Sequence, residues 1–336
     1  AVSDHVWPSV LGDASNANPL TFVPKHGPGA TAEKLSGNRK FTAVRWHDRL
    51  ENYFPLLNTR FCNENAYDSE EFHSISLVNE DEEQPVRVIP VPKTLKAPRI
   101  IAIEPVCMQY CQQAIAEFLV KRIEASKLTA GRVNFTDQTV NQRMALSASK
   151  GGGFATIDLS SASDRVPYSL AIRMFDRYPD LKGAISATRS TRAQMPDGEV
   201  IALRKFASMG SALCFPIEAM YFYTICVKAL LELHNLPVES FNIRRMAKLV
   251  YVYGDDIIVP EYAATAVIEH LQKYHCKVNT SKSFWTGKFR ESCGVDAFDG
   301  EVVTPTYIKS VRPYNRREAG GLISWVKTSN LFYQKG

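Results

Sequence analysis

Apolar and polar positions along the chain sort into a few clear runs. The sharpest is Leu249 to Tyr253 followed by Ile257 to Val259, two β-branched and aromatic stretches that bracket Gly254-Asp255-Asp256. Such flanks predict a β-hairpin with its turn at the acidic pair. Apolar runs within Val86–Val91 and Ile100–Ile103 predict a second hairpin, whose tip holds Lys93, Lys96 and Arg99. Phe154 to Leu159 reads as a short buried strand with Asp158 near its end. Helical patterns cover Val106 to Ala125, Pro167 to about Tyr178, Pro216 to Leu233, and Ala263 to Tyr274. Pro167 suits a first helical turn, and Pro179 blocks continuation. His275 to Phe284 reads as a strand, and Phe289–Gly294 with Val302–Ile308 as another hairpin.

Between these runs lie punctuated segments. Val6 to Phe22 shows little periodicity, His26 to Thr31 reads as a turn, and Glu80-Asp81-Glu82-Glu83 reads as a solvated acidic loop. Gly151-Gly152-Gly153 is a hinge or tight turn, and Met195-Pro196-Asp197-Gly198 is a loop between strand-like flanks. Ser208-Met209-Gly210-Ser211 is a small-residue loop that feeds the longest apolar helix. From Phe154 onward the order is β-α-β-β-α-β, the split βαβ or ferredoxin-like arrangement with one antiparallel sheet. In that sheet Asp158 can meet the hairpin tip, so three carboxylates from two segments converge.

Composition narrows the classes. The chain has 336 residues, 45% hydrophobic and 22% charged, as expected of a soluble α+β protein with two or three subdomains. A net charge of +5 permits nucleic-acid binding without arguing for it. Seven irregularly spaced cysteines, with no Cys-x-x-Cys pair, predict free thiols in a reducing compartment and no structural zinc. Glu218, Lys228 and Glu232 interrupt the most apolar run, which therefore reads as a buried helix rather than a membrane span. No signal peptide is visible, and the start at Ala1 suggests a trimmed piece of a longer chain.

The acidic hairpin carries the chemistry. Adjacent carboxylates repel unless a cation neutralises them, and Mg²⁺ is the usual hard partner. A solvated Asp-Asp turn is the plain alternative; the buried flanks argue for a metal site. Lys93, Lys96 and Arg99 fit either a charged strand edge or a polyphosphate clamp.

At this point the chain resembles template-dependent RNA polymerases of the right-hand type, with fingers, palm and thumb. Asp158-x5-Asp164 resembles the first palm motif, Ser208-Met209-Gly210 the second, and Tyr253-Gly254-Asp255-Asp256 the third. The Lys282 region resembles the fourth, Phe289 to Ile308 the fifth, and Val91 to Pro105 the fingers motif. Asp137–Arg143, Asp158–Asp164 and Phe289–Gly294 are similar in particular to the replicase catalytic subunits of the leviviruses, small positive-strand RNA bacteriophages. The second motif departs from many viral polymerases, which place an Asn early in its helix. Here that face shows Phe215, Pro216 and Glu218, which leaves open the residue that supports Asp164.

The resemblance implies a ferredoxin-like antiparallel palm sheet and RNA-templated RNA synthesis by two-metal nucleotidyl transfer. It implies fingers over 1–150 with a nucleotide-binding motif at about 86–105, and a first palm motif at 151–179. A fingers insertion follows at 180–206, the remaining palm motifs at 207–310, and the start of a thumb at 311–336. Asp158, Asp255 and Asp256 would hold two Mg²⁺, for which Mn²⁺ can substitute. Lys93, Lys96, Arg99, Asp164, Ser208 and Gly210 would bind the nucleotide, and Tyr253 and Gly254 the RNA. Lys282 would protonate or screen the pyrophosphate, or is a solvated strand lysine. Implied partners are RNA, ribonucleoside triphosphates, bacterial elongation factors Tu and Ts and a ribosomal protein, with no membrane, in the cytoplasm of a bacterial host. A reverse transcriptase shares the Tyr-x-Asp-Asp hairpin, but normally puts a bulky residue where Asp164 stands. A non-catalytic RNA-binding protein on a ferredoxin-like fold would have no need of three converging acids.

Overall fold

The apolar run near Pro216 forms a helix from Cys214 to Leu233, and most of its side chains are buried. It is long and apolar enough to cross a membrane, yet 83% of its apolar window is covered by protein. A helix that is mostly apolar and mostly covered is the spine of a core.

The structure is a computed structural model, and it describes residues 1–61, 63–92, 98–308, 313, 315 and 317–334. Lys93 and Lys96 lie outside the described residues. In chain order the helices are α1 (Val2–Leu11), α2 (Glu70–His73), α3 (Val106–Ala125), α4 (Thr139–Gly151), α5 (Tyr168–Ala171), α6 (Pro179–Ala187), α7 (Cys214–Leu233), α8 (Ser240–Ala247), α9 (Ala264–Lys273) and α10 (Ala319–Gln334). The strands are β1 (Arg45–His47), β2 (Ser76–Val78), β3 (Val86–Pro92), β4 (Pro98–Ile103), β5 (Phe154–Ile157), β6 (Arg192–Gln194), β7 (Val200–Ala202), β8 (Tyr251–Tyr253), β9 (Asp256–Pro260), β10 (Phe289–Ser292), β11 (Val295–Phe298) and β12 (Glu301–Val302).

One apolar core runs from Val2 to Val278 and joins α1, α3, α7 and the β5-β9-β8 sheet. α3 enters it through Met108, Cys111, Ile115, Leu119 and Ile123, one face of a helix. α1 was not expected. Its Val2, Val6, Trp7, Val10 and Leu11 do recur at helical spacing and are buried, but Pro8 in the middle obscures the pattern. Trp7 is fully buried and donates to Thr224 Oγ1 at 3.0 Å, which docks α1 on α7. The helix expected from Pro167 to Tyr178 breaks into α5 and a 3-10 turn, Ile172–Phe175, and Pro179 then opens α6 as its first residue. Cys107, Cys111, Cys214, Cys226, Cys276 and Cys293 are free thiols.

β5, β9 and β8 are antiparallel in that order. The fourth strand expected over His275–Phe284 does not form. Val278 and Phe284 reach β5 only as isolated bridges, to Leu159 and Thr156. Asn279 N still donates to Asp158 O, but Asp158 N donates to the Ser283 hydroxyl instead of to a backbone carbonyl, which interrupts the ladder. The last hairpin also differs from expectation. β10 pairs with β11, and Val302 belongs to a third short strand rather than to a partner running to Ile308. Cys293 and Gly294, at φ 50 and 75, make the two-residue turn that fixes this pairing.

Arg290 ties that hairpin to the central sheet. Its side chain is 0% exposed, donates to the carbonyls of Phe154, Gly287 and Phe289, and faces Glu261 at 3.4 Å.

The β4-β3-β6-β7 sheet has a small apolar cluster of its own, Val86, Val88, Ala102 and Ala193. Polar groups do much of the holding here. The acidic run expected to be solvated supplies Glu83, which is buried and receives both Arg49 Nε and Nη2, while Arg192 donates to the carbonyls of Glu80, Asp81 and Glu83. Glu104, just after β4, is buried and accepts from Ser190 Oγ at 2.5 Å. Gln112 of α3 donates to Thr188 O and accepts from Ser211 Oγ and Ala212 N.

Two outcomes follow. Arg290→Met should lower the urea-unfolding free energy by about 3 kcal/mol, because buried carbonyls lose their donor; an unchanged midpoint would show the guanidinium to be dispensable. Burial pushes the Glu104 carboxyl from 4.5 up to about 7. The folded chain therefore holds a proton that the unfolded chain releases above about 4.5, and stability falls as pH rises through that window. Glu104→Gln should flatten this dependence and gain at most about 3 kcal/mol over the parent at pH 8, with little difference at pH 4, read from urea midpoints.

Candidate active site

The acidic hairpin turns one residue earlier than the sequence suggests. Gly254 and Asp255 form the turn, and Asp256 already pairs with Tyr253 as the first residue of β9. Gly254 sits at φ 60, and a Cβ there would lie 2.2 Å from the Phe215 ring. The Tyr253 ring meets Phe215 edge-on at 5.2 Å. Both residues that the resemblance assigned to RNA thus pack on the start of α7.

The shifted turn separates the two acids. Asp255 is exposed at the tip, while Asp256 points inward and accepts from Ser292 Oγ at 3.1 Å and Cys293 N at 3.0 Å. Burial, with the charge of Asp255 behind it, pushes the Asp256 carboxyl up to about 6. Two residues of the Asp137–Arg143 stretch brace this arrangement from α4. Asn141 donates to Asp256 O and Gln142 to Cys293 O.

Asp158 follows directly on β5. Ile157 pairs with Ile257, so the next step of the register sets Asp158 opposite Asp256. Its Oδ2 accepts from Asn279 Nδ2 at 2.8 Å, and burial together with Asp255 raises its pKa. Lys282 lies 3.3 Å from Glu291. Burial works against its charge, but Glu291 and Asp158 hold its pKa above the usual lysine value.

Asp255 adds to the upward push on both Asp158 and Asp256, and the cation beside them is shared with Glu291. Oxygen donors in that condition are what a hard divalent cation takes. Among the described residues no three His, Cys, Asp or Glu side chains are gathered closely enough to hold a metal ion as they stand. Asp256 is drawn back into β10 and its turn, so the donor chemistry fits while the expected set of three is not assembled.

The surrounding residues fall into place unevenly. Asp164 Oδ1 receives Lys205 Nζ at 2.5 Å, a partner 41 residues away that no local pattern marks. Glu218 is buried on α7, and burial followed by the charge of Asp255 and then Asp164 pushes its carboxyl up to about 8. It is thus the residue of the departing second motif that faces both acids. Ser208 is buried, and Gly210 at φ 133 lies so close to β4 that a Cβ would sit 2.0 Å from Ala102 O. Ala102 N donates to Met209 O, so this loop and the cationic hairpin are one assembly. Arg99 is exposed on β4. Sequence reasoning missed Asn279, Ser292, Cys293 and Lys205 as partners. The first three sit in stretches already singled out, and Lys205 carries no signal at all.

Residues 66–314 match the family model described as RNA replicase, beta-chain. The chain is 38% identical over 223 residues to the RNA-directed RNA polymerase subunit beta of Qbeta virus (strain MX1), covering 66% of this chain and 35% of that protein. It is 35% identical over 222 residues to the RNA-directed RNA polymerase beta chain of Escherichia phage MS2, covering 66% of this chain and 37% of that one. The chain therefore spans about a third of the length of these relatives. Among solved structures, the RNA-dependent RNA polymerase of a human picorbirnavirus superposes with a TM-score of 0.50 at 11% identity, covering 73% of this chain and 52% of that one. At that identity the likeness speaks for the fold alone, an α+β right-hand polymerase. With a family model matched over residues 66–314, most of its length, this chain belongs to the RNA replicase beta-chain family.

Proposed function

We propose that this chain carries the catalytic part of an RNA-directed RNA polymerase that copies a phage RNA genome. The observation that supports it most is the placement of Asp158, directly after the strand that pairs with β9, opposite Asp256 of the acidic hairpin. The relatives' names favour RNA over DNA as product, which counts against a reverse transcriptase.

Two bound Mg²⁺, or Mn²⁺, would stabilise the attacking 3′-oxygen and the leaving pyrophosphate. Asp158 and Asp255 are the direct ligands in this reading. Asp256, anchored by Ser292 and Cys293, sets the angle of the tip and is the further ligand. Lys282 brings positive charge and a proton to the pyrophosphate side. Arg99, with Lys93 and Lys96, neutralises the triphosphate as it arrives. Ser208 and Gly210 line the nucleotide, and Tyr253 and Gly254 flank the RNA end. The Asp164 oxygen not held by Lys205 accepts from the ribose 2′-hydroxyl. Glu218, which keeps its proton at neutral pH, adds no charge beneath it.

In this reading 1–150 and 180–206 belong to the fingers, 151–179 and 207–310 to the palm, and 311–336 to the start of the thumb. The word "subunit" in a relative's name denotes one chain of an assembly. We extend that to this chain, with elongation factors Tu and Ts and a ribosomal protein as partners in the bacterial cytoplasm. Template and product are held through phosphates and sugars, and base pairing supplies the sequence choice.

Asp255→Asn keeps the turn and removes a ligand charge. Incorporation of one labelled ribonucleotide on a primed RNA should fall by at least about a thousandfold, since metal stabilisation is worth several kcal/mol. RNA affinity should persist. Near-normal synthesis by this variant in Mg²⁺ would overturn the reading. Asp164→Ala should narrow the ratio of ribo- to deoxyribonucleotide kcat/KM by about tenfold or more, because a site built around a hydroxyl rejects the analogue lacking it. An unchanged ratio would leave Asp164 only its ion pair with Lys205.

A further inference from the structure

A cleft of about 630 Å³ opens where the C-terminal ends of α3 and α8 meet the end of α1. Its walls carry Arg122, Lys127, Arg244 and Lys248 and the serines Ser9 and Ser126, with no carboxylate among the lining residues. Some cations elsewhere are matched, among them Lys25 with Glu117, Arg49 with Glu83, Lys182 with Asp176, and Lys288 with Asp299. Among the described residues, none of the four cleft cations forms an ion pair.

Helix ends account for part of this charge. Arg122 lies in the last turn of α3 and Arg244 in that of α8, where the helix dipole favours cations. The three helix ends there, that of α1 included, offset at most about one and a half elementary charges, which leaves roughly two and a half positive charges unbalanced. Like charges around one cleft repel, and a fold keeps them where a polyanion neutralises them. The cleft shares no lining residue with the acidic site, whose tip lies at the far end of β8. Lys248 precedes β8, and Asp255 follows it, with a strand of about 10 Å between.

We propose that this cleft binds the phosphodiester backbone of an RNA segment other than the one being copied. Two guanidinium groups and two ammonium groups with flanking hydroxyls, set in a recess, match phosphate oxygens strung along a strand. The choice of RNA rests on the polymerase reading. The test reads binding alone, so the two ideas stand or fall separately.

The full chain is titrated with a short, unstructured, labelled RNA by fluorescence anisotropy over a series of NaCl concentrations. Arg244→Ala/Lys248→Ala should raise Kd about tenfold near 0.1 M salt and lower the salt slope by about 1.4, roughly 0.7 for each lost phosphate contact. Lys127→Ala, a change outside any helix, should lower the slope by about 0.7 and keeps the test open if the double variant folds poorly. Lys182→Ala/Lys288→Ala removes equal charge elsewhere and should leave the slope as it is. Parental RNA binding by both cleft variants overturns the proposal. So does a loss of poly-L-glutamate binding with RNA binding intact, which would assign the cleft to an acidic protein.

Discussion

The pairing of β5 with β9 is the constraint on which the site depends. Four register pairs, from Phe154–Pro260 to Ile157–Ile257, decide that Asp158 emerges opposite Asp256. A slip of one residue would turn Asp158 to the other face and bury a charge in the core. The register is well protected. Ala155, Thr156 and Ile157 are buried, as are Ile257, Ile258 and Val259, so both faces of the ladder resist displacement. Arg290 clamps the strand's first carbonyl, and α7 backs the hairpin through Phe215.

Around this frame, two adjacent acids have different environments because a strand alternates its side chains. Asp255 faces solvent at the turn; Asp256 faces the β10 turn and is anchored there by two hydrogen bonds. Asp158 is fixed by Asn279 from the segment that declines to become a strand. That irregularity is useful. The bend there lets the Ser283 hydroxyl accept from Asp158 N while the Asn279 amide holds the Asp158 carboxylate. Burial, with the charge of Asp255 next, pushes the Glu218 carboxyl up to about 8, which favours its neutral form.

The cationic hairpin is built on other terms. Its sheet shares only a small apolar cluster, so its position relative to the acids is set by polar links. Glu104 with Ser190, Gln112 with Ser211 and Thr188, and Ala102 with Met209 join β4, α3 and the Ser208–Ser211 loop. Hydrogen bonds are directional where apolar contact is not, so such links fix orientation with little buried area.

Much of the element pattern and the resemblance was legible in the chain by itself. The bounds of α3, the acidic hairpin, the strand before Asp158 and the long buried helix all lie in local apolar periodicity, which is a property of neighbours in sequence. The ordered motifs marked the family before any geometry. Tertiary structure decided the rest. It placed the turn at Gly254–Asp255, because Phe215 leaves room for no side chain at Gly254. It moved Glu83 from an expected solvated loop into an ion pair with Arg49, and matched Lys205 to Asp164. It hid α1 behind Pro8 until α7 supplied a surface for Trp7. In each case the deciding partner is far away in the chain, and periodicity carries no information about which distant group will neutralise a charge or fill a space.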